Sequence, residues 1–229
     1  IQLLKEGHHI VCAVRDQRRF STSKYKDAKG TLEVVECDLS DKASLSVIPR
    51  ELDVAYYLIH SMAEGGDFSK TEKQSAQNFR EAIEDTTAVQ VIYLTGIVNE
   101  EKLSRHLYSR KAVEEALQSS QYALTALRAG IIVGSGSASF EIIRDLAEKL
   151  PVMVAPVWIK TRCQPIAIRN VIEFLTGVKL KAFTYHQHFD IAGKEILTYK
   201  EMILQYARAR KLKRSIITVP FFSPRLSSY

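Results

Sequence analysis

The stretch VQVIYLTGIVNEEKLSRHLYSRKAVEEALQSSQYALTALR, residues 89–128, decides the fold that the sequence predicts. It begins with VQVIYLT (89–95) and ends with YALTALR (122–128), two short runs that are apolar nearly throughout. Such runs are typical of strands that are covered on both faces of a parallel sheet. Residues 104–120 carry an apolar stripe at helical spacing, made of Leu107, Val113, Ala116 and Leu117. The stretch therefore predicts a strand–helix–strand unit.

The same alternation extends towards the start of the chain. Three further strands are predicted: HIVCAV (9–14), LEVVEC (32–37) and DVAYYLI (53–59). Helices are predicted between them and the opening stretch, a short one at 41–48 and a longer one at 69–85. Strands that alternate with helices at this spacing indicate an α/β fold with a Rossmann-like, doubly wound parallel sheet and right-handed crossovers.

After residue 130 the pattern loosens, and a second lobe is predicted. Helices are expected at 140–150, 169–180 and 197–211, and strands at 188–193 and from 215 onwards. The last of these helices opens with Thr198-x-x-Glu201, which is the pattern of a capping box. We therefore expect a Rossmann-like domain at 1–130, to which 160–195 returns, and a smaller C-terminal α+β lobe at 131–229.

Composition narrows the class of protein. No apolar run approaches the roughly 18 residues of a membrane-spanning helix, and the sequence shows no secretory signal pattern. The three cysteines, Cys12, Cys37 and Cys163, are scattered without CxxC spacing. Scattered cysteines are typical of reduced thiols in a cytoplasmic protein, so we expect a cytoplasmic location.

The positive charge lies at the end of the chain. Residues 181–229 carry nine Lys and Arg against three Asp and Glu, which accounts for the whole net charge of +6, and most of it lies in RARKLKR (208–214). Such a run is typical of a solvated helix end. An anionic lipid surface is the alternative, so peripheral membrane contact through 200–229 stays open. No interleaved aromatic residues accompany the run, and no nucleic acid is expected as a partner.

Ligands of doubly wound sheets bind at the carboxyl ends of the strands, and the first two such ends are charged. Arg15 follows HIVCAV and suits the 2′-phosphate of NADP rather than the ribose hydroxyls of NAD, unless it belongs to an exposed basic loop. Asp38 follows LEVVEC and could accept a hydrogen bond from the adenine amino group. It could equally form a turn, with Ser40 or Asp41 capping the next helix.

The next two strand ends carry polar side chains as well. DVAYYLI ends in Ile59 and is followed by His60-Ser61-Met62 and the flexible AEGGD loop. VQVIYLT ends in Thr95-Gly96, which sets a hydroxyl beside a residue without a side chain. The strand ends predict a site for NADP, with NAD as the alternative, for an unidentified small-molecule substrate and for no metal.

The GxxGxxG phosphate loop expected in such a fold is not seen in the chain. QLLKEG (2–7) reads as the last turns of a helix that ends on Gly7, so we expect the first strand and the glycine-rich loop to precede Ile1. Without that loop the chain is expected to bind its cofactor weakly or not at all, because the loop supplies backbone N–H donors. Gly134-Ser-Gly136 lacks the acidic partner of a dinucleotide fingerprint and is interpreted as a substrate-side loop.

Eight segments follow one another in an order and at a spacing that are typical of a known superfamily. They are CDLSD (37–41), LIHSM (58–62), SAQNFREA (75–82), YLTGIV (93–98), SRKAVEEAL (109–117), LRAGIIVGSGSASFE (127–141), QPIAIRNV (164–171) and FDIAGKEILTYKEM (189–202). Over residues 1–220 the chain resembles the atypical short-chain dehydrogenase/reductase superfamily, in its NAD(P)-binding, sugar-nucleotide-epimerase-like branch. That branch includes the nitrogen-metabolite-repression regulators and the nucleotide-binding accessory subunit of respiratory complex I.

The resemblance implies a role for each strand end. Cofactor contacts are implied for Arg15, Asp38, Leu39, Ile59, His60, Ser61, Thr95, Gly96, Arg110, Ala129, Gly130 and Ile131. Substrate-side positions are implied for Met62, Gly134 and Gln164. Thr95 stands where the superfamily places its catalytic Ser or Thr, and Ala129–Ile131 stand where a loop passes the nicotinamide.

The catalytic Tyr-x-x-x-Lys pair of the superfamily is replaced in this chain. The positions that match this pair are His106 and Arg110. Arg110 would hold ribose or phosphate, and it is a poor proton relay. His106 could act as an acid or a base near neutral pH. Alternatively, Tyr108 lies near Lys111, since residues three apart share a helix face. An ordinary helix start with solvated polar groups is the remaining interpretation.

Two functions stay open from the sequence. The first is an NADP(H)-dependent oxidoreductase on a small carbonyl or quinone-like substrate, with Thr95 binding the substrate oxygen and His106 or Tyr108 delivering the proton. The second is a non-catalytic NADP-binding redox sensor or assembly factor, peripheral to a membrane, which the replaced catalytic pair and the basic C-terminal segment favour. An epimerase is disfavoured because it needs an intact base.

Overall fold

The computed structural model describes residues 1–25, 27–59, 68–97 and 105–219, apart from the side chains of residues 24, 68–69 and 105–109. The chain divides into two compact units. The first consists of Ile1–Arg128 and Ile172–Phe189, and the second of Ala129–Val171 and Asp190–Tyr229. Each unit is described by itself.

The helices and strands alternate along the first half of the chain. They are α1 (Gln2–Lys5), β1 (His9–Val14), β2 (Thr31–Glu36), β3 (Val54–Tyr57), α2 (Phe68–Glu84), β4 (Gln90–Gly96), α3 (Arg105–Ala116) and β5 (Ala123–Ala129). The five strands and two long helices predicted for this half are thereby confirmed. The predicted helix at 41–48 is a 3₁₀ helix, Lys42–Val47, which the Asp41 side chain caps.

The second half of the chain has shorter elements. They are β6 (Ile132–Val133), α4 (Ala138–Lys149), β7 (Val152–Pro156), β8 (Arg162–Cys163), β9 (Ile166–Ala167), α5 (Ile168–Gly177), β10 (Gln187–Ile191), β11 (Leu197–Thr198), α6 (Tyr199–Ala209) and β12 (Ser215–Val219). The three predicted helices and the two predicted strands are confirmed, and so is the capping box between Thr198 and Glu201. None of the described helices is both long enough and apolar enough to span a membrane.

The strands of the first half form a parallel α/β arrangement. A four-stranded sheet has the order β10-β5-β4-β3, and β3 runs parallel to β4 with Val54 opposite Gln90. A separate two-stranded sheet pairs β1 with β2 in parallel, with His9 opposite Thr31. Among the described residues β1 and β3 are not paired with each other. The predicted Rossmann-like α/β class is confirmed.

The end of α1 has the geometry that its sequence predicts. Gly7 has a φ of 90°, in the left-handed region that favours glycine. The His8 N–H donates to the Leu3 carbonyl at 3.1 Å, and the Gly7 N–H donates to the Leu4 carbonyl at 3.1 Å. These two bonds form a Schellman motif, which satisfies carbonyls at the helix end. The prediction that this helix ends on Gly7 is confirmed.

The core of the first unit lies between the sheet and the two long helices. It contains Tyr57, Ala76, Phe79, Ile83, Val91, Tyr93, Val113, Ala116, Leu117, Leu124 and Ala126, all of which are buried. The apolar stripes predicted on α2 and α3 supply the helical share of this core. Tyr57 packs edge-on against both Phe79 and Tyr93, with ring centroids 5.0 and 5.7 Å apart. Parallel strands covered in this way explain the unbroken apolar runs in the sequence.

Gln90, at the start of β4, organises a fully buried polar network. Its Nε2 donates to Thr125 Oγ1 at 2.8 Å and to the Val178 carbonyl at 3.1 Å, and it also reaches Thr184 Oγ1 at 3.3 Å. Its Oε1 accepts from the Leu180 N–H at 2.6 Å. A buried amide is tolerated in a core only when its donors and acceptors are satisfied in this way. The network connects β4 and β5 to the loop that follows α5.

The second unit has its own core. Side chains of α4 and α6 pack on one face of the sheet in which β7 runs parallel to β12. The core contains Ile143, Ala147, Met153, Ala155, Ile159, Met202, Ile203, Ala207 and Ile216. The sequence pattern predicts the helices and β12 but not β7. Its partner strand is about 60 residues away in sequence, and only long-range pairing identifies it.

We predict that Gln90→Leu lowers the free energy of unfolding by about 3 kcal/mol, because it leaves several buried polar groups without partners. Urea unfolding followed by circular dichroism measures this loss. Gln118→Leu is the matched control, since Gln118 is exposed on the same unit, and its free energy of unfolding should stay within about 0.5 kcal/mol of the wild type. Equal effects of the two substitutions would contradict the role assigned to Gln90.

Candidate functional site

The carboxyl end of β4 carries a buried hydroxyl without a partner. Thr95 is 3% exposed, and its Oγ1 makes no hydrogen bond of ordinary geometry with a described residue. The Tyr93 phenol lies close enough for the Thr95 side chain to oppose the rise of its pKa, but the two groups do not reach full hydrogen-bond geometry. Every other buried Thr or Gln side chain on β4 and β5 is hydrogen-bonded, as Gln90 and Thr125 are. An unsatisfied buried hydroxyl costs about 1–3 kcal/mol. Such a group at a strand end, where ligands of α/β sheets bind, marks a candidate ligand contact.

The guanidinium of Arg110 lies against Gly96, the residue next to Thr95. A Cβ atom at Gly96 would overlap Nη1 of Arg110 and would lie 3.2 Å from its Cζ. Arg110 reaches the strand end from α3, and glycine leaves the room that the guanidinium occupies. The guanidinium therefore lies at the same strand end as Thr95, on the side to which a Gly96 side chain would point, and its positive charge acts on the Tyr93 phenol. Thr95 and Arg110, which were predicted from separate motifs, both lie at this strand end.

Arg128 engages the glutamate that would otherwise pair with Arg110 on the same helix. Glu114 lies four residues after Arg110, a spacing at which opposite charges on a helix usually pair. Both Glu114 carboxylate oxygens are taken by Arg128 of β5, with Nη2 to Oε1 at 2.9 Å and Nε to Oε2 at 3.1 Å. Both side chains of this bidentate pair are mostly buried. Arg110 makes no ion pair with any described residue, so its charge is available to an anionic ligand.

Tyr93 is a candidate that the sequence reasoning missed. It points to the same side of β4 as Thr95, since side chains two residues apart share a face. Burial raises the pKa of its phenol to about 12, although the neighbouring Thr95 hydroxyl and the positive charge of Arg110 oppose the rise. Tyr93 therefore keeps its proton at neutral pH. Its spacing of two residues from Thr95 could have indicated from the sequence that the two side chains share one face of the strand.

The ends of β1 and β2 bring Arg15 and Asp38 together. Their side chains form an ion pair with Nε to Oδ2 at 3.4 Å, and Arg15 is largely exposed. Asp16, next to Arg15, is held instead by Arg18 through bonds of 3.0 and 3.1 Å from Nε and Nη2. The guanidinium of Arg15 thus has one partner and remains open to solvent. It lies just after β1, where the sequence predicts a contact with the 2′-phosphate of NADP.

Asp38 also forms the turn that the sequence left as an alternative. Its carboxylate accepts from the Ser40 N–H at 2.9 Å and from the Ser40 hydroxyl at 2.7 Å. The Ser40 N–H and then the Ser40 hydroxyl hold the pKa of Asp38 below its usual range, with a smaller contribution from Arg15. Leu39, a predicted cofactor contact, lies with its side chain in the core, and its carbonyl accepts from Asn78 of α2 at 2.8 Å.

Several of the predicted site residues lie outside the part of the chain that the structure describes. His60, Ser61 and Met62 lie outside the described residues, and Ile59, just before them, is exposed. His106 and Tyr108 belong to α3, and their side chains lie outside the description. Among the described residues no group of His, Cys, Asp and Glu is arranged to hold a metal ion.

The remaining predicted residues belong to the second unit. Ala129 is buried, the Gly130 N–H donates to the Ile191 carbonyl at 3.1 Å, and the Ile131 carbonyl accepts from the Ile166 N–H at 2.9 Å. Gly134 packs against Ile168, where a Cβ atom would overlap the Ile168 side chain. The Gln164 amide donates to the Gly193 carbonyl at 2.6 Å. These contacts give Gly130, Gly134 and Gln164 structural partners, and their predicted roles towards ligands stay predictions.

Solved structures share this fold. Pal from Bacillus thuringiensis has a TM-score of 0.76 and 12% identity over 98% of this chain and 82% of that chain. UDP-N-acetylglucosamine 4-epimerase from Bacillus cereus has a TM-score of 0.73 and 15% identity over 99% of this chain and 83% of that chain. The chain has the fold of nucleotide-sugar epimerases. The resemblance predicted from the sequence motifs is confirmed at the level of the fold.

A structure that was solved with its cofactor shares the fold as well. The Bordetella bronchiseptica enzyme WbmG in complex with NAD has a TM-score of 0.68 and 15% identity over 96% of this chain and 79% of that chain. No protein-family model matches the sequence, and no curated protein sequence matches it.

We predict that Thr95→Val raises the free energy of unfolding by about 1 kcal/mol, because valine has nearly the shape of threonine and removes a buried hydroxyl without a partner. Thr125→Val is the matched control: its hydroxyl donates to the Thr184 carbonyl at 2.9 Å, so the same change should cost about 2 kcal/mol. Urea unfolding of both variants checks the contrast. A destabilised Thr95→Val would mean that this hydroxyl has a structural partner.

We predict that the free energies of unfolding of the wild type and Asp38→Asn differ by an amount that depends on pH. Because the folded-state pKa of Asp38 is lowered, its carboxylate contributes stability that is fully present above the unfolded pKa of about 4 and is lost as the pH falls through the folded pKa. Solvent screening keeps this contribution below about 1 kcal/mol, since the side chain is 37% exposed. The free energy of unfolding of the wild type, measured across the acid range, should exceed that of Asp38→Asn by less and less as the pH falls. A difference that stays constant with pH would contradict the lowered pKa of Asp38.

Proposed function

We propose that this protein binds a nicotinamide dinucleotide along the carboxyl ends of β1, β2 and β4 and acts as an NADP(H)-dependent oxidoreductase on a small carbonyl or quinone-like substrate. The observation that carries the proposal is the buried Thr95 hydroxyl, which makes no full hydrogen bond with a described residue, at a strand end that also holds Arg110, which makes no ion pair with a described residue. A hydroxyl donor and a cation at one strand end suit a ligand that has a polar oxygen and a phosphate or ribose.

The preference for NADP over NAD rests on Arg15. Its guanidinium is largely exposed at the end of β1 and has Asp38 as its partner at 3.4 Å. Exchange of this exposed ion pair for a phosphate costs little, because exposed pairs contribute only about 0–1 kcal/mol. An arginine fork binds phosphate oxygens in a bidentate manner, whereas the ribose hydroxyls of NAD are usually held by an acidic residue at this place.

The residues of the site have separate proposed roles. The bound dinucleotide would supply or accept a hydride. The Thr95 hydroxyl would donate a hydrogen bond to the substrate oxygen, and Arg110 would hold a ribose hydroxyl or a phosphate. Tyr93, which stays protonated at neutral pH because its pKa is about 12, would keep the strand end uncharged beside Thr95. Proton delivery is assigned to His106 or Tyr108 of α3.

The second candidate is a non-catalytic NADP-binding redox sensor or assembly factor. It is favoured by one specific feature, the presence of arginine at position 110 where the superfamily pair has lysine. Arginine holds a phosphate as well as lysine does but gives up a proton far less readily. Cofactor binding without turnover would support this candidate, and steady-state oxidation of NADPH against carbonyls and quinones would support the first.

We predict that Arg110→Gln weakens the binding of NADPH about tenfold or more, because it removes a charge-assisted contact at the strand end. Isothermal titration calorimetry of the wild type and the variant measures the change. Lys111→Gln is the matched control, because Lys111 is exposed on the same helix, and it should bind NADPH as the wild type does.

Two outcomes of this titration would count against the proposal. Equal losses in Arg110→Gln and Lys111→Gln would indicate a general electrostatic effect rather than a site at Gly96. Tighter binding of NADH than of NADPH would overturn the role given to Arg15.

A further inference from the structure

The sheet formed by β7 and β12 is apolar on both faces. Because side chains alternate along a strand, Met153, Ala155 and Ile216 point inward and are buried in the core of the second unit. The neighbouring residues point outward and are exposed: Val152 at 57%, Val154 at 62% and Ile217 at 55%. Val154 and Ile217 lie directly opposite each other in the parallel register. An outward face of a two-stranded sheet usually carries polar residues, so this composition needs an explanation.

The apolar surface continues in the chain segment that follows β7. Val157 and Trp158 belong to a short 3₁₀ helix, Val157–Lys160, and both are exposed. Trp158 packs edge-on against Tyr199, at the start of α6, with ring centroids 5.8 Å apart. We define the outer face as Val152, Val154, Val157, Trp158 and Ile217. Trp158 is exposed, whereas Tyr199 is half-buried. Tryptophan and tyrosine rings are enriched at surfaces that meet the boundary between lipid and water.

Cations border the outer face. Val152 shares the lining of a groove of about 640 Å³ with Arg208, Lys213 and Arg214. Arg214 has a structural role, since its Nη2 donates to the Glu148 carbonyl at 3.1 Å at the end of α4. Arg208 and Lys213 are exposed and make no ion pair with a described residue.

Acidic residues near these cations are few. Residues 150–172, which include β7 and the 3₁₀ helix, contain Lys160, Arg162 and Arg169 but neither Asp nor Glu. The carboxylate of Glu148 is already engaged by the Tyr206 hydroxyl at 2.7 Å and by Arg210 at 3.5 Å. Arg208, Lys213 and Lys160 are therefore exposed cations without an ion-pair partner among the described residues.

We propose that the outer face docks on the surface of a membrane that contains anionic lipids. Its valine, isoleucine and tryptophan side chains would enter the headgroup boundary, while Arg208, Lys213 and Lys160 would bind lipid phosphates. A second copy of this chain is a poorer occupant, because a symmetric contact would bring two cationic rims together. The proposal is independent of the proposed cofactor site, which lies in the first unit.

Co-sedimentation with vesicles tests the proposal. We expect the protein to bind vesicles of phosphatidylcholine mixed with phosphatidylglycerol and to bind vesicles of phosphatidylcholine alone much less. Val154→Ser combined with Ile217→Ser should lower partitioning onto anionic vesicles on the order of tenfold. Arg208→Gln combined with Lys213→Gln should lower it about fivefold for each cation removed. Phe183→Ser is the control, since Phe183 is exposed on the first unit and should not affect partitioning.

The same variants give outcomes that would overturn the proposal. Circular dichroism spectra and unfolding curves should show that each variant folds, because the substituted side chains are exposed. Equal partitioning of the wild type and both double variants would remove the outer face as a lipid contact. Self-association in sedimentation velocity that Val154→Ser with Ile217→Ser abolishes, in a protein that binds no vesicles, would assign the face to a second copy instead.

Discussion

The bidentate ion pair between Glu114 and Arg128 is the contact on which the candidate site depends. It joins α3 to β5 with both carboxylate oxygens engaged, and both side chains are mostly buried. Removal of one partner from such a pair leaves an uncompensated charge in the interior, which is strongly unfavourable. The pair thereby fixes the position of α3 against the sheet. It also withdraws Glu114 from Arg110, so that an unpaired cation remains at the carboxyl end of β4.

The two ends of β4 illustrate how one strand divides structural and functional roles. At its start Gln90 is fully buried, and its amide group bonds to four other residues. The same network holds the Leu180 N–H, and Leu180 has a φ of 55°, a backbone conformation that costs about 1–3 kcal/mol. At the other end of the strand, Thr95 is just as buried but has no partner. Satisfied polar groups hold the fold together, whereas an unsatisfied one at a strand end is a candidate ligand contact, which is the role that we propose for Thr95.

Some exposed cations have acidic partners and others do not. In the first unit, Lys42 pairs with Glu81 at 2.5 Å and Arg15 with Asp38 at 3.4 Å. In the second, the cations at 208 and 213 line a groove with apolar side chains and have no acidic partner among the described residues. Part of the excess positive charge that the sequence places in its last fifth therefore borders an apolar groove.

Much of the fold was predictable because its signals are local. Continuous apolar runs predict the buried parallel strands, the stripes at 3.6-residue spacing predict the buried faces of α2 and α3, and Thr198 with Glu201 predicts the start of α6. The ends of the strands follow from the same runs, which is why Thr95, Arg15 and Asp38 were identified as candidates. Each of these inferences needs only residues that are close in sequence.

The partners of those candidates were decided by the tertiary structure. Local spacing favours a pair between Arg110 and Glu114, but both carboxylate oxygens of Glu114 accept from Arg128 of β5 instead. Leu39 faces the core although its motif suggests a cofactor contact, and β7 exists only because β12 pairs with it. The sequence by itself determined which segments form strands and helices, because hydrophobic periodicity is local. Only the tertiary structure decided which polar groups are satisfied, because hydrogen bonds and ion pairs depend on residues that are distant along the chain.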